Sequence, residues 1–168
     1  SAGLAFNAAG KATGCMGVAL GDINHDGHVE LLVTNFLAEP NSFFMSTSPG
    51  FYEDRSRGMG LEKPSYEQLG FGTQFIDLDN DGLIELFVAN GHVDDLSQRG
   101  RPYRMPPQLF RYEGAHGFEE IGRSTLGEYF SKDWLGRAAV RLDWNLDGRN
   151  DLVVGHLEDQ AVLLTNET

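Results

Sequence analysis

The sequence predicts an all-β protein built from repeated short-stranded units, and three observations carry that prediction. One loop pattern occurs three times: Asp22-Ile23-Asn24-His25-Asp26-Gly27-His28-Val29-Glu30, Asp77-Leu78-Asp79-Asn80-Asp81-Gly82-Leu83-Ile84-Glu85 and Asp143-Trp144-Asn145-Leu146-Asp147-Gly148-Arg149-Asn150-Asp151. An apolar run follows each copy at once, at Leu31–Val33, Leu86–Val88 and Leu152–Val154. The segments between loops are short, rich in Val, Leu and Phe, and bounded by Gly, Asn and Asp, as strands are. Strong helical periodicity is absent.

The repeat has a measurable period. The first aspartates of the loops lie 55 and then 66 residues apart. The extra residues fall between His92 and Pro107, and removing them restores the shorter spacing. Within each period the pattern predicts four strands. Strand one enters the loop (Cys15–Gly21, Gly72–Ile76, Ala138–Leu142) and strand two leaves it (Val29–Asn35, Ile84–Ala89, Asp151–His156). Strand three follows at Ser42–Ser46, Gln108–Tyr112 and Ala161–Thr165. Strand four is expected at Gly50–Asp54 and Gly117–Ile121, and the third repeat has none. Ser1–Ala12 reads as a linker that follows a fourth strand, because Ala2-Gly3-Leu4 resembles Gly58-Met59-Gly60-Leu61. Some helical turn is expected near Ser124–Trp134.

Repeated four-stranded units of this length describe β-propeller blades. The expected architecture is therefore about three blades, at 15–56, at 69–122 with an insertion at 91–107, and an incomplete one at 136–168. Small residues at Gly17, Gly72 and Ala138 suit crowded inner strands. Propellers typically close with ~4–8 blades, so three would leave exposed edges and apolar faces. The sequence thus points to part of a larger propeller, or to closure with other copies of itself.

The loops carry the chemistry. Oxygen-bearing side chains stand at positions 1, 3, 5 and 9, with glycine at 6 for a sharp reversal. That is a hard-cation pattern, and calcium, which takes ~6–8 oxygens, fits it best, with about three ions in all. The expected ligands are Asp22, Asn24, Asp26 and Glu30; Asp77, Asp79, Asp81 and Glu85; and Asp143, Asn145, Asp147 and Asp151. The position 7 carbonyls of His28, Leu83 and Arg149 can add one oxygen each. An EF-hand would need a glutamate at position 12, where Val33, Val88 and Val154 stand. Metal-free Asx turns are the competing reading. Magnesium keeps more water, and zinc prefers nitrogen and sulfur.

Net charge supports the loops as the focus. The chain carries −12, and ten of its 25 acids lie in the three loops, so the remaining acids nearly balance thirteen bases. Three divalent ions would reduce the charge to about −6. Such acidity argues against nucleic acid or an anionic membrane as partner. No stretch approaches the ~20 apolar residues that membrane insertion needs. The single cysteine, Cys15, forms no intrachain disulfide and reads as a small buried hydrophobe.

A partner surface is expected at the other end of the strands. The insertion is basic and aromatic where the chain is acidic, with Arg99, Arg101, Tyr103 and Arg104, the residue types that anchor interfaces. The linker residues Tyr66, Tyr129, Phe130 and Trp134 are placed on the same face. The competing reading is a surface loop that packs on a neighbouring blade and binds nothing. No nucleophile elbow, phosphate loop or His pair of a metalloprotease occurs. His92 reads as a turn residue bonding backbone rather than as a base.

The chain resembles the FG-GAP/VCBS repeat propellers, in the branch associated with ASPIC/UnbV domains and cartilage acidic protein-like sequences. The matching stretches are Gly17–Asp22, the three loops, Leu69–Asp77, Val88–His92, Pro106–Phe110, Gly117-Phe118 and Ala161–Asn166. The resemblance implies calcium-binding propeller blades in a secreted, periplasmic or cell-surface protein. It implies a C-terminal fragment without the ASPIC domain. Asn24 and Asn145 replace an aspartate common in the family, which implies weaker first and third sites. The function expected is a non-enzymatic module for adhesion, scaffolding or self-assembly, with a protein, a glycan or other copies of itself as partner. The alternatives are a polysaccharide-acting enzyme or a carbohydrate-binding module.

Overall fold

The computed structural model describes residues 2–167. They form three antiparallel sheets of 4, 4 and 3 strands. The first contains β1 (Val18–Gly21), β2 (Glu30–Val33), β3 (Ser42–Ser48) and β4 (Phe51–Asp54). The second contains β5 (Gly70–Ile76), β6 (Glu85–Asn90), β7 (Gln108–Tyr112) and β8 (Phe118–Glu120). The third contains β9 (Gly136–Leu142), β10 (Asp151–His156) and β11 (Val162–Leu164). Each sheet is a meander in chain order. Every strand read from the sequence is present. The strand expected to begin at Cys15 starts at Val18, and the one expected to reach Asn35 stops at Val33. The latter ends because Asn35 turns out of the ladder and gives its N–H to Asn41 Oδ1, at 3.1 Å. The helical turn near Ser124–Trp134 is two short 3-10 turns, Arg123–Thr125 and Glu128–Ser131.

The sheets stack through two apolar cores. Between the first and second lie Leu32, Phe43, Phe75, Leu86, Phe110 and Phe118. Between the second and third lie Phe87, Leu109, Tyr129, Phe130, Leu152 and Val154. Strand β6 serves both, since successive side chains leave opposite faces. Leu86 and Val88 enter one core while Phe87 and Ala89 enter the other. A continuous apolar run is the expected sequence of a strand covered on both sides.

The first strands approach closely. A Cβ on Gly17 would stand 2.0 Å from the Phe71 carbonyl oxygen, and one on Gly72 would stand 2.3 Å from the Ala139 nitrogen. The expectation of crowded inner strands holds at these two positions. Ala138 does not share it, being exposed, because no fourth sheet covers that face among the described residues. The outward faces of the end sheets accordingly expose Val18 and Leu20 on β1, and Val140 and Leu163 on β9 and β11. The same absence explains Cys15. It is exposed rather than buried, because it precedes β1 on the uncovered side of the first sheet.

Two devices recur from repeat to repeat. After strand two, Asn35 Nδ2 donates to the Pro40 carbonyl at 2.6 Å and Asn90 Nδ2 to the Pro106 carbonyl at 2.9 Å. In the third repeat His156 holds the equivalent place, its Nδ1 donating to the Gln160 carbonyl at 2.9 Å. The insertion therefore leaves the closure of its turn intact. The incoming linker also grips the outer strand of the sheet it enters. Tyr52 N–H donates to the Ala2 carbonyl at 2.8 Å, and Phe118 N–H to the Met59 carbonyl at 2.9 Å. Gly3 and Gly60 have φ of +84° and +77° at these contacts, as their sequence likeness suggested.

Gly72 offers a direct check on the stacking. Gly72→Ala forces backbone against backbone and should cost about 2–3 kcal/mol, measured by urea unfolding. Gly122→Ala, where a Cβ meets nothing within 4 Å, should stay within about 0.5 kcal/mol. Equal midpoints for the two variants would mean that β5 and β9 do not meet this closely.

Candidate metal-binding loops

All three acidic loops lie at one end of the sheets, between strands one and two of each meander. They touch one another. His25 Nε2 donates to the Gly82 carbonyl at 2.7 Å, and Asn150 Nδ2 to the Asp77 carbonyl at 3.2 Å. Asn166 Nδ2 also donates to the Leu78 carbonyl. The antiparallel topology puts the insertion and the linkers at the opposite end, as the sequence predicts.

The loops share one backbone course. Position 4 takes a left-handed conformation, with φ of 58° at His25, 57° at Asn80 and 59° at Leu146. The glycine at position 6 follows at 83° to 86°. The glycine was legible in the sequence, whereas position 4 was not, because only Asn80 is a residue that tolerates this region well. The chain reverses around the first aspartate. Asp22 Oδ1 and Oδ2 accept the N–H groups of Asp26 and Gly27, at 3.0 and 2.9 Å. Asp143 repeats this with Asp147 and Gly148, at 3.0 and 2.9 Å. Asp77 Oδ2 accepts from Gly82 at 3.2 Å. The position 5 aspartates accept the N–H of position 7, from His28 at 2.8 Å, Leu83 at 2.7 Å and Arg149 at 2.9 Å.

The acid at position 9 is different in kind, because it is buried. Glu30, Glu85 and Asp151 are 0%, 4% and 2% exposed. Each accepts the N–H of loop position 2, from Ile23 at 3.2 Å, Leu78 at 2.9 Å and Trp144 at 2.8 Å. Asp151 also accepts the Asn166 N–H at 2.8 Å. Burial raises the carboxyl pKa of Glu30 and Glu85 above the ordinary 4.5, and the neighbouring loop aspartates raise it further. Asp26 and Asp147 shift the other way, below 3.8, chiefly because they accept the backbone N–H of His28 and Arg149.

The three loops are not equal. In the first, Asn24 Nδ2 donates to Asp26 Oδ2 at 3.0 Å, and His28 Nδ1 lies 3.0 Å from Asp26 Oδ1. In the third, Asn145 Nδ2 donates to Asp147 Oδ2 at 2.8 Å, and Arg149 Nη1 lies 3.8 Å from the same oxygen. These loops partly satisfy their own carboxylates. The second loop has Asp79 and Leu83 at those positions and cannot. Ligand oxygens of Asp77, Asp79 and Glu85 converge within 4.8 Å of one another. Asp77 Oδ1 is buried without a hydrogen-bond partner among the described residues. An oxygen-only donor set around an orphaned carboxylate oxygen fits a hard cation.

The sequence-predicted partner surface is divided. Tyr103 Oη donates to Glu158 Oε1 at 3.3 Å, and Arg104 Nη1 to Asp159 Oδ2 at 2.5 Å. Both side chains thus tie the insertion to the β10–β11 turn, while Arg99 and Arg101 remain exposed. Of the linker aromatics only Tyr66 is exposed. Tyr129 and Phe130 are buried, and Trp134 stacks on Tyr129 at 5.1 Å and on His156 at 4.7 Å between centroids. Sequence reasoning placed these aromatics on the partner face because the linkers between sheets run at the end away from the acidic loops. Their burial comes from packing over the exposed edge of the second core. His92 is buried, and its Nδ1 accepts the Asp94 N–H at 3.0 Å, the turn role expected of it.

Comparison with known proteins bears on the repeats. Residues 77–154 match the family model of the FG-GAP-like repeat. Cartilage acidic protein 1 of Xenopus tropicalis is 28% identical over 145 residues, covering 86% of this chain and 21% of its own length. The Homo sapiens protein of the same name is 27% identical over 145 residues. The chain thus spans about a fifth of the length of the curated relatives it matches. A crystal structure of a candidate exo-beta-1,3-galactanase from Bifidobacterium bifidum s17 superposes with a TM-score of 0.52 at 10% identity. That superposition covers 96% of this chain and 51% of the other, and is a likeness of fold. The sequence matches support the FG-GAP family.

Two measurements test the loops. Leu146 is strained at position 4 and exposed, so Leu146→Asn should raise stability by about 0.5–1 kcal/mol, read from denaturant midpoints. A loss of stability would refute the left-handed turn. The buried glutamates hold their protons more tightly folded than unfolded. The metal-free fold should therefore gain stability as pH falls from 7 through their raised pKa toward 4.5. It should lose stability again below 3.8, where Asp26 and Asp147 become protonated. Calorimetry in chelator should show this maximum, and Glu85→Gln should flatten its neutral side. A melting temperature that climbs steadily from pH 4.5 to 7 would contradict the burial of these charges.

Proposed function

We propose that this chain is a segment of a calcium-stabilised β-propeller whose three sheets are blades, acting outside the cytoplasm as a non-enzymatic binding or scaffolding module. The observation that carries this reading is the second loop. There the carboxylate oxygens of Asp77, Asp79 and Glu85 converge within 4.8 Å of one another, and a buried Asp77 oxygen has no hydrogen-bond partner among the described residues. The first loop would hold an ion through Asp22, Asn24, Asp26 and Glu30, and the third through Asp143, Asn145, Asp147 and Asp151. The carbonyls of His28, Leu83 and Arg149 are the further oxygens expected.

Calcium, when bound, supplies positive charge that the buried glutamates lack. The protein's part is to hold the oxygens together against their repulsion, through the N–H groups of positions 2, 5, 6 and 7. The ion would then act as a clamp between strands one and two rather than as a catalyst. The likeness to the candidate galactanase is one of fold and supplies no substrate. Among the described residues no helix is long and apolar enough to cross a membrane. The exposed Arg99 and Arg101, with Tyr66 lining the same depression as Arg101, are the remaining candidates for contacting a protein or glycan partner.

Calcium titration of the metal-depleted chain tests the reading. At about 100 times its dissociation constant, one calcium bound only to the folded state would add about 2.7 kcal/mol of stability. The melting temperature should rise accordingly and return to its starting value in excess chelator. Asp79→Asn should weaken the tightest site seen by calorimetry, while the corresponding Asn24→Ala leaves that site unchanged. Identical melts with calcium and with chelator would sink the proposal.

A further inference from the structure

Each acidic loop is closed by its own backbone N–H groups, but the second is also held from outside, by side chains of both neighbours. From the first loop, His25 Nε2 donates to the Gly82 carbonyl at 2.7 Å. From the third, Asn150 Nδ2 donates to the Asp77 carbonyl at 3.2 Å. Asn166, beyond β11, strengthens the second grip. Its Nδ2 donates to the Leu78 carbonyl, and its own N–H goes to Asp151 of the third loop at 2.8 Å.

The peptide units gripped in this way adjoin expected ligands. A peptide group is planar, so holding its oxygen and its N–H fixes the whole unit. In the Gly82–Leu83 unit His25 holds the oxygen, while the Leu83 N–H donates to Asp81 Oδ1 at 2.7 Å. The next carbonyl along is that of Leu83, the position 7 oxygen. Glycine leaves this stretch free to rotate, with φ of 86° at Gly82, so a hold from outside has an effect here. In the Asp77–Leu78 unit Asn150 holds the oxygen, while the Leu78 N–H donates to Glu85 Oε2 at 2.9 Å. That unit joins the position 1 aspartate to the anchor of the position 9 acid.

Both donors depart from the repeat. Position 4 is His25 in the first loop but Leu146 in the third, which has no donor to offer. Position 8 is Asn150 in the third loop, against Val29 and Ile84 in the others. Both departures point at the loop with the most acids, four against three in each neighbour. In those neighbours Asn24 and Asn145 donate to an aspartate of their own loop, where the second loop has Asp79.

We infer that His25 and Asn150 are positioning residues of the second metal site, reaching it from the loops on either side, so that its affinity depends on its neighbours as well as on its own carboxylates. This rests on the calcium reading above. Neither side chain is a ligand. Each fixes a peptide unit beside a ligand, which reduces the ordering that binding must impose. His25 stands between Asn24 and Asp26, and Asn150 stands beside Asp151. Order in an outer loop is therefore passed to the second, and the coupling is reciprocal.

Calcium titration of the full chain, followed by NMR at fixed pH, reads the three sites separately. Gly27, Gly82 and Gly148 each give an N–H to the first aspartate of their own loop, at 2.9, 3.2 and 2.9 Å, so their amide signals are the reporters. His25→Asn removes the imidazole yet keeps a residue suited to the left-handed turn, as Asn80 is at the same position with φ of 57°. Asn150→Val copies Val29. Each should raise the calcium midpoint of Gly82 about three- to tenfold, the worth of one hydrogen bond. The glycine of the far loop, Gly148 for His25→Asn and Gly27 for Asn150→Val, should shift less. Should either variant fail to fold, the other decides alone. The inference is overturned if Gly82 keeps its midpoint in a folded variant, or if all three midpoints move alike, as general destabilisation would make them. If no glycine signal of the unaltered chain responds to calcium, the calcium reading itself falls and this inference with it.

Discussion

In each repeat a carboxylate at the start of the second strand accepts the N–H of the second loop residue, seven positions earlier. The rest of the repeat depends on that contact. It fixes how the loop leaves the sheet, because the N–H it holds belongs to the second residue beyond the end of strand one. It also fixes the register of strand two, whose first residue it is. A hydrogen bond to a charged group contributes about 1.5–3 kcal/mol, while a buried carboxylate without partners is driven to take up a proton. Glu30 and Glu85 stand between these outcomes, bonded yet desolvated. Opening strand two with alanine would remove the strain of the buried charge and the anchor together.

This double role explains what the sequence could and could not convey. Spacing made the acids at positions 1, 3, 5 and 9 look alike, a ring of equal ligands. The structure separates them by exposure. Positions 3 and 5 face solvent and bond only their own loop, whereas position 9 lies beneath the loop and binds it to the sheet. Nothing in a pattern of alternating oxygens distinguishes the two, because burial is decided by the strands packed on either side. The strands themselves were legible because their apolar runs are continuous and their turns are marked by glycine, asparagine and proline. Tyr129 and Phe130 were misplaced for the opposite reason. They sit in a linker with no period, and only the stacking of sheets two and three turns that linker inward.

The insertion shows the same limit from the other side. Its basic and aromatic composition suggested a surface for a partner, yet Tyr103 and Arg104 reach Glu158 and Asp159 on the next sheet. Arg137 donates to the carbonyls of Gly91 and His92 and covers the Phe71 ring at 4.3 Å. The added residues therefore work first as a brace between sheets. Asn90 keeps the turn closed beneath them by bonding Pro106, so the brace is carried without altering the strands it joins.

Why such a brace is needed follows from comparing the two cores. The first is closed by Phe118, which lies between Phe43 and Phe75 and seals the gap that the outer strand would otherwise leave. Among the described residues the second has no counterpart, and its outer end is the groove beside Leu164. Polar contacts accumulate around this less complete core: Gln74 to the Ala139 carbonyl, Arg141 to the Phe75 carbonyl, Asn150 to the Asp77 carbonyl, and the Arg104 ion pair. Such bonds are directional and hold the third sheet in register, but each is partly exposed and contributes less than a buried aromatic ring. Sheet three is thus positioned accurately and sealed incompletely.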